Sequence, residues 1–142
     1  QRLLGISNIT MIKESTGDIQ RMHHLKKSQG DNVNFYNGSN TLALGAFAAG
    51  ASGWCTALPN LIPEWNLKLF EATQKGDFKL AQQLFHKQLD VLKFVQEKGL
   101  PRTIKAGLDI LGIESGYLRS PLNPLPYEEK KQLEVLLNDI ME

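Results

Sequence analysis

Lys13, in the stretch TMIKESTGD over residues 10–18, stands where a short apolar run gives way to a turn. Such a lysine can reach out to water. Shielded from water, its ammonium would give up its charge more readily, and a neutral lysine amine adds to a ketone to form an imine. The protonated imine is an electron sink for making or breaking a neighbouring bond. Glu14 is no simple ion-pair partner for it, because successive strand residues face opposite ways. On this pattern alone, a solvent-facing or ion-paired lysine is the commoner outcome.

Other reactive side chains give less. His23 and His24 are adjacent on a helical stretch, about 100° apart, so they do not share a face as i, i+4 metal ligands would. His86 falls within a long amphipathic stretch and reads as structural. Cys55 has no evident base beside it and reads as a small buried hydrophobe. Trp54 and Trp65 read as packing residues, and Lys105 as a helix lysine facing water or a partner. The glycines of NGSN and GASGW permit tight turns or close approach of backbone to a ligand, but neither stretch is a phosphate-binding signature. No metal and no cofactor are called for.

The elements that must position Lys13 alternate over the first sixty residues. NITMIK reads as a strand with Ile9, Met11 and Lys13 on one face and Thr10 and Ile12 on the other. STGD supplies turn and cap residues, with Ser15 three before Asp18 as a capping-box match, and a helix follows through IQRMHHLKKSQ to Gly30. NVNFYNG reads as a second strand, TLALGAFAAG as a small-residue helix and GWCTA as a short third strand. This order argues for parallel strands with crossover helices, whose carboxyl ends are where ligands bind. Lys13, the Asn37–Asn40 turn and Thr56–Ala57 all fall at such ends.

Beyond Asn60 the chain reads as helices. LIPEWNLKLFEATQKG carries Leu61, Trp65, Leu69 and Ala72 on one face. The stripe of DFKLAQQLFHKQLDVLKFVQEKG is Phe78, Ala81, Leu84, Phe85, Leu89, Leu92 and Val95. PRTIKAGLDILGI opens on a proline suited to a helix start, SPLNPLP is a linker, and YEEKKQLEVLLNDIM is a last helix. The division is therefore 1–60, strands with crossover helices, and 61–142, helical. Three parallel strands leave two bare edges, whereas such sheets are normally covered on both faces. The expectation is a C-terminal part of a larger α/β protein, in keeping with the absent initiator methionine.

The totals bound the rest. With 142 residues, 42% of them apolar and a net charge of +1, the chain gives no reason to propose nucleic acid or an anionic membrane as partner. No apolar run approaches the roughly 20 residues that span a bilayer. The N-terminal residues lack a secretory pattern, and the single cysteine suits a reducing cytoplasm.

IKESTGD, FYNGSN and GASGWCTALPNLIP, in this order, resemble the C-terminal portion of the dihydrodipicolinate synthase and N-acetylneuraminate lyase family of class I aldolases. GLPRTIKAGLDILGI and LRSPLNPLP extend the resemblance over essentially the whole chain. It implies strands six to eight of a (β/α)8 barrel in residues 1–60, then the last barrel helix and a C-terminal helical extension. It also implies that Lys13 forms a Schiff base with pyruvate or a related 2-oxo acid, and that Gly38, Ser39 and Cys55 lie where substrate binds. A homo-oligomer, tetramer or dimer, is implied as well.

The family's carboxylate-binding Thr-Thr turn and proton-relaying tyrosine belong to its N-terminal half and are not in this chain, so Tyr36 does not take that tyrosine's role. FYNGSN lacks the acidic pair that several members carry after the glycine, and Trp54 is bulkier than expected there. A dihydrodipicolinate synthase-like lyase is implied first, with sugar-acid aldolases, dehydratases and the deaminase of hydroxyproline breakdown left open. So is a fragment that does no chemistry without its N-terminal half.

Overall fold

The structure is a computed structural model that describes residues 2–142, the side chain of Leu4 excepted. Its contacts divide it into two compact units, one ending at Thr56 and one running Ala57–Glu142.

The first unit contains a three-stranded parallel sheet in the order β1 (Met11–Glu14), β2 (Asn34–Asn37), β3 (Gly53–Trp54). Two crossover helices connect the strands, α1 (Ile19–Gln29) and α2 (Ala43–Ala48), the latter entered through a 3-10 turn at Asn40–Leu42. Alternation decides which face of the sheet is covered. On β1, Met11 and Lys13 are exposed while Glu14 is buried, and on β2 Phe35 and Asn37 are fully buried while Asn34 is exposed. The covered face belongs to a core that includes Met22, Ala43, Ala46 and Phe47. Lys13 and Met11 therefore stand on a bare face. The expected shielding of the lysine is not supplied by these three strands: among the described residues, Lys13 is exposed on the face it occupies.

The cap of α1 differs from the expectation. Asp18 is the N-cap, its carboxylate accepting a hydrogen bond from the Gln20 amide, and Ser15 lies outside the helix. Asp18 wins because its extended backbone points the carboxylate at the free amides of the first turn.

The second unit is helical: α3 (Pro63–Gln74), α4 (Phe78–Lys98), α5 (Leu100–Ile110) and α6 (Tyr127–Met141) follow a 3-10 turn at Leu58–Asn60. Pro63 opens α3, and Asp77 caps α4 by accepting from the Leu80 amide. The stripe of α4 is shifted from the expected one. Gln88, Val91 and Phe94 are buried, Leu89 is half-buried, and Phe78 at the helix start is exposed. Gln88 is tolerated inside because its amide is engaged. It donates to the carbonyls of Trp65 and Leu84 and accepts from Asn66 Nδ2 at 2.7 Å. His86 is exposed on the same helix rather than part of its core. Lys105 does not face open water either. It is half-buried and donates to the carbonyls of Ser115 and Gly116, while Arg102 holds the Pro124 carbonyl at 2.9 Å. These two cations of α5 fasten the irregular segment that leads to α6.

Candidate functional site

The carboxyl ends of the three strands are joined beyond the regular ladder. The Gly38 amide donates to the Glu14 carbonyl at 2.7 Å, and the Cys55 amide donates to the Asn37 carbonyl at 2.8 Å. These two bonds fix the residues just past β2 and β3 against their neighbours, so Lys13, Gly38 and Cys55 share one rim. The turn after β2 is held from inside. Fully buried Asn37 accepts from the Ser39 amide and donates to the Ser39 carbonyl, both at 2.9 Å. One asparagine side chain thus sets the path of the Gly38–Ser39 backbone.

Gly38 is glycine for a steric reason. A Cβ on it would lie 1.9 Å from Ser15 Oγ and 2.8 Å from Lys13 Cε. Carbon atoms cannot approach that closely, so the space a side chain would fill is taken by the arm of Lys13 and the hydroxyl of Ser15. The lysine arm consequently passes over the Gly38 backbone at the rim. Ser15 is the residue that the capping-box reading placed wrongly; only the packing against Gly38 reveals where its hydroxyl goes.

Glu14, next in the chain, points to the covered face. Burial pushes its carboxyl up, but hydrogen bonds from Thr16 and Arg21 and the Arg21 charge outweigh that and hold it below its ordinary value of 4.5. Its oxygens accept from the Thr16 amide at 2.7 Å and lie 3.5 Å from Arg21 Nε. Glu14 therefore anchors the turn that follows Lys13 and leaves the lysine unpaired by its neighbour. Cys55 is exposed, contrary to the expected buried thiol, because it lies past the end of β3 on the open rim. Ser39 and Gly38 are half-buried.

Among the described residues no cluster of histidine, cysteine and acidic side chains could hold a metal ion, and no helix is long and apolar enough to cross a membrane. The helical unit has a cavity of about 370 Å³ beside α5. The cations that line it, Arg102, Lys105 and Lys130, are already engaged by Pro124, by Ser115 and Gly116, and by Asp109.

The sequence and the fold are similar to those of known proteins. The sequence matches the Dihydrodipicolinate synthetase family over residues 1–140. It is 30% identical over 139 residues to 4-hydroxy-tetrahydrodipicolinate synthase 2 of Halalkalibacterium halodurans, covering 98% of this chain and 48% of that protein. Among solved structures, a proposed dihydrodipicolinate synthetase from Pseudomonas aeruginosa superposes with a TM-score of 0.93 at 51% identity, over 95% of this chain and 47% of that one. The chloride-inhibited dihydrodipicolinate synthase of Acinetobacter baumannii, solved in complex with pyruvate, gives 0.90 at 26% identity, over 99% of this chain and 48% of that one. The chain thus spans about half the length of the relatives it matches. Its three parallel strands and helices form the part of a (β/α)8 barrel that holds strands six to eight, with a helical region after them. On these matches the chain belongs to the dihydrodipicolinate synthetase family.

Proposed function

We propose that the polypeptide carrying this sequence is a Schiff-base-forming lyase acting on pyruvate or a related 2-oxo acid, of the 4-hydroxy-tetrahydrodipicolinate synthase type. The observation that carries this reading is the course of the Lys13 arm. It runs over Gly38 at the strand ends, where a bound 2-oxo acid would meet both the amine and the exposed backbone of the neighbouring strands. The amine of Lys13 adds to the ketone carbon, water leaves, and an iminium remains. Loss of a proton from the adjacent carbon gives an enamine, which attacks an aldehyde carbon or arises in reverse when that bond breaks. Gly38, Ser39 and Cys55 contribute the substrate-facing rim. The pyruvate complex of the Acinetobacter baumannii relative supports a small 2-oxo acid as ligand.

Residues 1–60 supply the partial barrel and residues 61–142 the last barrel helix and helical extension. No cofactor is needed for this chemistry, since the lysine supplies the electron sink. A cytoplasmic homo-oligomer, dimer or tetramer, completes the reading. Sugar-acid aldolases, dehydratases and a hydroxyproline-pathway deaminase use the same imine. The neutral Ser39–Asn40 pair after Gly38 and the bulk of Trp54 keep these relatives in contention. A chain without chemistry, needing its N-terminal half, is the reading from another class.

Borohydride reduction in the presence of pyruvate tests the Schiff base that all the enzyme readings share. Mass spectrometry of the full-length polypeptide is expected to find the reduced pyruvate adduct on Lys13, and none in Lys13→Arg. A folded full-length protein that yields no adduct would refute the Schiff-base reading.

A further inference from the structure

Tyr36 occupies the centre of the ladder at the level of the lysine. Its partner on β1 is Lys13 and its partner on β3 is Gly53. Residues paired across parallel strands point to the same face of a sheet. These three positions therefore form one level of the face that carries the amine, and the third of them is empty of side chain. A Cβ on Gly53 would lie 3.1 Å from Cζ of Tyr36, 3.2 Å from Cε1 and 3.3 Å from Cε2. The hydroxyl-bearing end of the ring thus lies over the Gly53 backbone, and the ring leans from β2 toward β3, away from β1.

The lysine goes elsewhere. Its Cε stands beside Gly38, two residues beyond Tyr36 and just past the carboxyl end of β2. The amine arm climbs to the rim while the ring lies flat one level beneath. Tyr36 is half-buried on a face where Met11, Lys13 and Asn34 are exposed, so it is the residue that covers ground there.

We propose that Tyr36 is the floor of the site. Its ring, seated on Gly53, closes the sheet between β2 and β3 beneath the reacting carbon, so that a bound 2-oxo acid is held at the level of the Lys13 arm instead of sinking onto the sheet. This rests on the Schiff-base reading of Lys13 and adds a positioning residue to it. The ring does the work and the hydroxyl does not, which separates Tyr36 from a proton-relaying tyrosine. Gly53 belongs to the same device. A methyl there would sit closer to the ring than ordinary van der Waals contact allows, and the ring would have to lift by a few tenths of an ångström.

The test uses the full-length polypeptide and the rate of borohydride-trapped pyruvate adduct formation at Lys13, measured across pyruvate concentrations. The saturating rate and the half-saturating concentration are read separately. A floor that positions the ketone carbon against the amine acts on the first, by roughly tenfold or more when removed, and moves the second by less than about threefold. Tyr36→Leu is expected to show that split. Tyr36→Phe, which keeps the ring, is expected to stay within about twofold of the unsubstituted protein. Gly53→Ala is expected to fall between them.

A Phe variant as slow as the Leu variant would move the action to the hydroxyl and overturn the proposal. So would a folded Leu variant with an unchanged saturating rate. Should Tyr36→Leu fail to fold, Gly53→Ala decides: an unchanged saturating rate there overturns the floor, a reduced one supports it. An unsubstituted protein never trapped at Lys13 refutes the Schiff-base reading itself, which is a different outcome from any of these.

Discussion

Two residues flanking the lysine do opposite jobs, and each can be tested by a single change. Gly38 contributes by having no side chain: the Lys13 arm and the Ser15 hydroxyl occupy the place of its Cβ. Gly38→Ala must displace both, and a shift of about 1 Å at a reacting group costs on the order of 100-fold in rate. Adduct formation at Lys13 is therefore expected to fall by about that factor with the fold intact, as checked by trapping kinetics beside circular dichroism. Glu14 contributes through its carboxylate. Hydrogen bonds from Thr16 and Arg21 outweigh the effect of burial and lower its proton affinity on folding, so it stabilises the fold when ionised. That stabilisation is present in full above the ordinary value of 4.5 and is lost as the pH falls through the lower folded value. Urea titrations of the unsubstituted protein and Glu14→Gln are expected to differ clearly at neutral pH and to converge in acid. A difference that widens in acid would contradict this assignment.

At the scale of elements, the pairing of α3 and α4 depends on a polar contact inside an apolar seam. Gln88 is fully buried, and Asn66, 6% exposed, donates to it. Leucine at position 88 would leave the Asn66 amide buried without its partner, at a cost of about 1–3 kcal/mol. Leucine at both positions removes the unsatisfied groups together, so the double variant is expected to be more stable than Gln88→Leu alone. Denaturant unfolding of the four proteins in the cycle checks the sign of that coupling. This contact also shows where reading the sequence stops. Turn, cap and stop residues located α1 over its whole length, and apolar periodicity marked most of the α4 stripe, because these are local properties. Periodicity could not place Gln88 inside, since a buried amide is acceptable only where another chain segment offers it partners. The strands behave likewise: alternation put Met11 and Lys13 on one face, whereas the register that sets Tyr36 between Lys13 and Gly53 is fixed by hydrogen bonds between distant segments. Ser15 was misread for the same reason. Its spacing to Asp18 mimics a capping box, but the contact that places it is with Gly38, twenty-three residues on.

For the molecule as a whole, the decisive fact is what the sheet leaves uncovered. Motif order was enough to bring Lys13, Gly38 and Cys55 to one rim. It said nothing of their exposure, because shielding at the end of a barrel strand comes from the strands across the barrel, and β1–β3 are three of eight. Lys13 and Cys55 are accordingly exposed, and both edges of the sheet lack a partner strand within it. Bare parallel edges invite pairing with other chains. A polypeptide limited to these 142 residues is thus expected to associate with itself as its concentration rises. It is also expected to trap pyruvate at least about tenfold more slowly than the full-length polypeptide, because a water-exposed, poorly positioned amine forms the imine less readily. Sedimentation at several concentrations and borohydride trapping on both polypeptides provide the measurements. Equal trapping rates would mean that closure of the barrel contributes nothing to the reactivity of Lys13, and that the amine already works on the open face where β1 presents it.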